Sequence, residues 1–168
     1  EHLEREELRE RGGADHRNTL DAMGNLANQY QETGRYDKAE ALHRRGLDGR
    51  RRVMGPKAPD TLGEMNNLAN DLALLGRYEE AGILMRETLS LKTEIYGAAH
   101  PSTLNTVDSL ANLNELLGHD AEAEALHRRA LEGRSRALGP DHSRTLESSE
   151  QLAGVLVNLG RFAEAEHL

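Results

Sequence analysis

The chain has 168 residues, and its 21 lysines and arginines against 29 aspartates and glutamates give a formal charge of −8. That balance supplies no net attraction to DNA, RNA or an anionic lipid surface, and no run approaches the roughly 18 apolar residues of a membrane-spanning helix. The absence of cysteine excludes disulfides and thiolate metal sites without deciding a redox compartment. A hydrophobic content of 37% with only 3% aromatic residues points to a core of Leu and Ala, which suits packed helices better than a sheet.

Residues 1–14 read as the tail of a preceding helix and a turn. Leu3 and Leu8 are spaced like Leu42 and Leu47, and Gly12-Gly13 follows. The start at Glu1, without an initiator Met, leads to the expectation of a longer parent chain.

Beyond residue 14 the sequence repeats every 42 residues. Thr-Leu stands at 19–20, 61–62, 103–104 and 145–146, and Leu-Ala at 26–27, 68–69, 110–111 and 152–153. Gly recurs at 34, 76, 118 and 160, Ala at 39, 81, 123 and 165, and Leu at 42, 84, 126 and 168. A fixed period of this length signals stacked supersecondary units and favours an extended binding surface over a catalytic pocket. The units expected are 15–56, 57–98, 99–140 and an incomplete 141–168 in one continuous repeat domain.

Each unit reads as two helices. The first, helix A, is expected over 19–33, 61–75, 103–117 and 145–159. In the second repeat Leu62, Met65, Leu68, Ala69, Leu72 and Leu75 fall on one helical stripe. Helix B is expected over 36–53, 78–95, 120–138 and from 162 onward, its stripe in the second repeat running through Ala81, Leu84, Leu89 and Ile95. The short Gly-Arg link admits only an antiparallel hairpin. Small residues at 27 and 39, with their equivalents in later repeats, let the two helices approach closely, and a Leu there would cost about 1–3 kcal/mol by overpacking. Gly46 and Gly133 sit inside helix B, where glycine costs about 1 kcal/mol relative to alanine.

Small residues on both helices, Gly-Arg-Tyr at 34–36 and 76–78, and Gly-Pro-Asp-His at 139–142 resemble the tetratricopeptide repeat. The 42-residue length with Asn-Leu-Ala in helix A is similar to the kinesin-light-chain-type variant, and the likeness covers residues 15–168. Gly118-His119-Asp120 and Phe162 depart from the pattern. The resemblance implies an all-α, right-handed solenoid of antiparallel helix hairpins, with A helices lining a concave groove and B helices forming the convex back.

On that groove the resemblance places Asn25 and Asn28, then Asn66, Asn67 and Asn70, then Asn105, Asp108, Ser109 and Asn112, with Asp21, Glu150, Gln151 and Gly154 at related positions. Asn28, Asn70 and Asn112 share one phase and are expected to form a ladder. A carboxamide offers both a donor and an acceptor, matching the main chain of an extended peptide. No cation occupies these positions, so a free carboxylate would lack charge-assisted partners, and a neutral to basic segment is expected to fit. His43-Arg44-Arg45 with Arg50-Arg51-Arg52, and His127-Arg128-Arg129 with Arg134 and Arg136, are expected to form basic stripes on the convex face.

Nothing in the sequence resembles a catalytic motif: HExxH and a nucleotide-binding glycine loop are absent, and the glycines fall at turns. His16, His100 and His142 share one phase, as do His43 and His127, and turn hydrogen bonding accounts for them better than a metal. The function expected is therefore a non-catalytic adaptor, without cofactor or metal, that holds a protein or peptide segment and takes part in a larger complex. Neither nucleic acid nor membrane insertion is expected, and the setting expected is soluble and intracellular. The alternative is an architectural subunit of a large assembly, contacting its neighbours through its ends and convex face.

Overall fold

The structure is a computed structural model that describes residues 17–168, so the expected helix tail over 1–14 lies outside the described residues. Among these residues the regular structure is all helical: α1 (Arg17–Glu32), α2 (Tyr36–Met54), α3 (Pro59–Leu74), α4 (Tyr78–Tyr96), α5 (Pro101–Leu116), α6 (Asp120–Leu138), α7 (Ser143–Asn158) and α8 (Phe162–Ala165). None of them is long and apolar enough to cross a membrane. The chain divides into two compact units, 1–84 and 85–168, with the boundary inside α4.

The A helices α1, α3, α5 and α7 begin two residues earlier than the apolar stripe suggests. Pro59 and Pro101 occupy the first turn behind an extended Ala58 or His100. A proline there loses no intrahelical hydrogen bond and brings the right φ. The B helices α2, α4 and α6 end on a glycine with positive φ, at Gly55, Gly97 and Gly139 (89–92°), where a side chain would be strained. The repeated threonine is tied to that stop. Thr61 Oγ1 donates to the Gly55 carbonyl at 2.8 Å, and Thr145 Oγ1 does the same to Gly139. The last helix is shorter than expected, because after Ala165 the chain closes only a three-residue turn from His167 to the Glu164 carbonyl.

In the first unit the core comprises Leu20 and Ala27 of α1, Ala39 and Leu47 of α2, and Leu62, Met65, Leu68, Ala69 and Leu72 of α3. The second buries Leu104, Val107 and Leu110 of α5 against Ala123 and Ala130 of α6, followed by Leu152, Val155 and Leu156 of α7. Ala27, Ala39, Ala69, Ala81, Ala111 and Ala123 are fully enclosed, as close helix approach requires, whereas Ala153 and Ala165 are only partly covered.

Helix B departs from the sequence reading in one respect. Its buried stripe in α4 is Ala81, Met85, Thr88 and Lys92, while Leu84 and Leu89 are half-buried and Ile95 is exposed. The same stripe in α2 is Ala39, His43, Leu47 and Arg50, and in α6 it is Ala123, His127, Ala130 and Arg134. A count of apolar residues misses it because half of its members are polar and gain their burial through partners.

Candidate peptide-binding surface

Every asparagine singled out on the A helices reaches solvent. Asn25, Asn28, Asn105 and Asn112 are exposed, and Asn66, Asn67, Asn70, Asp108 and Ser109 are half-buried. In α3 and α5 helix geometry accounts for this, since the Leu-Ala pairs 68–69 and 110–111 beside them face inward, whereas in α1 Leu26 is itself exposed and only Ala27 is buried. The side chains differ in what they already hold. Ser109 Oγ donates to the Asn105 carbonyl at 3.2 Å, Asn105 Oδ1 accepts from Arg134 Nη2 at 3.2 Å, and Asn66 has a partner within the chain. Among the described residues the amides of Asn25, Asn28, Asn67, Asn70 and Asn112 form no hydrogen bond inside the chain. Their donors and acceptors are thus available to a ligand.

Two buried cations reach the A helices from the B helices. Arg50 is only 7% exposed, yet its Nη2 reaches Asp21 at 3.0 Å, and its Nη1 lies 3.3 Å from Glu64 and 3.1 Å from the Leu20 carbonyl. In the second unit Arg134 reaches Asp108, Asn105 and the Ser148 hydroxyl. Both were assigned to the convex stripe, but both are buried and approach the A helices from behind. Arg134 thereby offsets Asp108, while Arg50, shared between Asp21 and Glu64, offsets Asp21 only in part. Burial holds the Glu64 carboxyl above the usual range, although Arg50 and His43 pull it down.

Position 92 completes the series. Lys92 lies 42 residues from both Arg50 and Arg134 and is equally buried, but it donates to the Ser102 carbonyl at 3.2 Å and Thr106 Oγ1 at 2.9 Å rather than to a carboxylate. Desolvation pulls its ammonium down to about 8. This buried cation row was legible as another 42-residue recurrence, 50–92–134, but polar recurrences were assigned to the surface.

Both histidines of the B helices are paired with carboxylates. His43 Nδ1 lies 2.5 Å from Asp71 Oδ2 with both side chains fully buried, and His127 Nε2 lies 2.8 Å from Glu115 Oε1. So His43 and His127 also leave the convex stripe. Of its solvent-accessible members, Arg44, Arg128 and Arg136 pair with glutamates, and Arg77 and Arg161 beside them do the same. Arg44 pairs with Glu40, and Arg77 bridges Glu40 and Glu80. In the second unit Arg128 pairs with Glu124, and Arg161 bridges Glu124 and Glu164. His100 and His142 act as helix caps, each Nδ1 accepting a backbone N–H at 3.1 Å, as turn hydrogen bonding required. His16 lies outside the described residues.

Family models described as tetratricopeptide repeat match residues 19–60, 61–135 and 109–168. A search of curated proteins found no match. Among solved structures, the nearly identical TPR-like repeats assigned to a kinesin light chain of Podosopora anserina share 24% identity and a TM-score of 0.80, over 87% of this chain and 69% of that one. BtubC (BKLC) from P. vanneervenii gives 22% identity and a TM-score of 0.81, over 89% and 59%. The apo form of RapI gives 15% and 0.75, over 87% and 51%. These neighbours establish the fold, and the repeats support a protein-interaction role in general. The chain belongs to the tetratricopeptide-repeat family, with the all-α helix-hairpin solenoid fold of that class.

Proposed function

We propose that the chain is a non-catalytic adaptor that holds an extended, largely uncharged peptide segment on the asparagine-bearing faces of its A helices. The first unit presents such a face on α1 and α3, and the second presents its own on α5. The observation that carries this reading is the pair Asn67 and Asn70 on α3, less than one helical turn apart, half-buried, and without a side-chain hydrogen bond among the described residues. A carboxamide in that state presents a donor and an acceptor at a spacing that a peptide main chain can meet. Arg134 offsets Asp108, and Arg50, shared with Glu64, partly offsets Asp21, which favours a segment of little net charge.

The test uses peptides selected from a random display library on the protein itself. Each lost hydrogen bond costs about 0.5–1.5 kcal/mol, so Asn67→Ala/Asn70→Ala is expected to weaken a selected peptide about 5- to 150-fold. The melting temperature should hold, since neither amide supports the core. Unchanged affinity, measured by calorimetry, would move binding to the ends or the B-helix face. A large fall in melting temperature would make the asparagines structural.

A further inference from the structure

The first turns of successive A helices differ between the two units. In the first, Arg17 of α1 and Asp60 of α3 meet at 3.1 Å and bridge the space between those helix starts. The residues 84 positions further on are Pro101 of α5 and Arg144 of α7, which form no such bridge. In their place is a pocket of about 150 Å³, lined by Pro101, Leu104, Asn105, Arg134, Leu138 and Arg144 among others. A cavity of about that size takes one benzene ring.

The lining limits what can enter. Pro101, Leu104 and Leu138 supply apolar wall, and Leu138 is 42% exposed with nothing of this chain over it. Both cations at the rim already hold carboxylates, Arg134 on Asp108 and Arg144 on Glu147 at 3.2 Å. The mouth therefore carries no net charge for a ligand to neutralise. Asn105 Oδ1 accepts from Arg134, while its amide N–H groups have no acceptor among the described residues. An apolar side chain entering the pocket would bring its own main-chain carbonyl alongside that donor.

We infer that this pocket is a specificity subsite that receives one uncharged aliphatic or aromatic side chain of a bound peptide, with the Asn105 amide donating to the peptide main chain. This rests on the peptide-binding role proposed above. It adds the side-chain class and the residues that select it. At the corresponding place in the first unit, the exposed Arg17–Asp60 ion pair joins the two helix starts.

Two variants close the pocket by different means. Pro101→Arg/Arg144→Asp installs the ion pair of the first unit, using residues that the same register already accepts there. Ala137→Leu adds bulk from an exposed lining position without changing charge. The probes are N-acetyl-phenylalaninamide and N-acetyl-leucinamide, with N-acetyl-glutaminamide as the polar control, followed by the methyl resonances of Leu104 and Leu138. The apolar probes should shift both methyls saturably, in roughly the millimolar range for ligands this small. The control should not, and both variants should lose the response while keeping the parent melting temperature. No saturable shift, or shifts of equal size in the parent and both variants, overturns the subsite. If display-selected peptides still depend on Asn67 and Asn70 while the probes leave Leu104 and Leu138 unmoved, the subsite fails and the adaptor role stands. If the probes behave as expected and the asparagine pair proves inert, the subsite stands and the main-chain role of those asparagines fails.

Discussion

Arg50 offers a direct test of where the cations sit. On a convex surface its truncation would cost no more than about 0.5 kcal/mol. In the structure Arg50→Ala removes the partner of Glu64, which is itself only 4% exposed and has one carboxylate oxygen already without a hydrogen bond. Breaking a buried ion pair costs about 3–5 kcal/mol because one charge is left behind. Glu64 can escape by taking up a proton. From an ordinary carboxyl value of 4.5 that escape costs about 3.4 kcal/mol at pH 7 and about 0.7 kcal/mol at pH 5, at 1.36 kcal/mol per unit. A carboxyl whose folded pKa is raised contributes stability that is fully present below its unfolded value and lost as pH rises through the folded one. The variant should therefore lose about 3–5 kcal/mol at pH 7 and recover roughly 2–3 kcal/mol of the difference from the parent at pH 5. Urea denaturation followed by circular dichroism at both pH values measures it, with exposed Arg45→Ala as the control. A loss equal to that of Arg45→Ala, or one independent of pH, would refute the buried network.

Lys92→Met should stabilise the protein at pH 7, since burial disfavours the ammonium and both of its acceptors keep a partner when Thr106 Oγ1 donates to the Ser102 carbonyl. Because the folded pKa is depressed to about 8 from 10.5, that advantage should shrink as pH rises between the two values, and melting curves showing no pH trend would contradict it. Gly46→Ala and Gly133→Ala should differ although both sit inside B helices. A Cβ at 46 would overlap the buried Glu64 carboxylate and cost about 1–3 kcal/mol in chemical denaturation. One at 133 would stand 2.9 Å from the two movable Leu104 methyls, and a helix-propensity gain of about 1 kcal/mol should offset the crowding. Equal losses at the two sites would count against this packing.

The buried cations qualify the usual view of a repeat core as apolar filler. Arg50, Lys92 and Arg134 each join a B helix to A-helix groups through directional contacts. Such contacts hold less stability than an apolar side chain of equal volume, but they tolerate fewer arrangements.

The 42-residue recurrence of Thr-Leu, Leu-Ala and Gly was enough to determine the helix hairpins, their turns and the enclosed alanines, because backbone conformation and small-residue contact depend on local residue type. The exposure of the asparagines on α3 and α5 was legible for the same reason, as it follows from the inward phase of Leu68-Ala69 and Leu110-Ala111. Burial of polar residues was not. Whether Arg50 points outward or inward depends on a carboxylate at position 64, in the next repeat, and on the missing Cβ of Gly46 beside it. The pocket at Leu104 likewise depends on a pairing between first turns 43 residues apart, present at Arg17 and Asp60 and absent at Pro101 and Arg144. A charge is stabilised or destabilised by what lies within a few ångströms of it, and only the tertiary fold decides which residues those are.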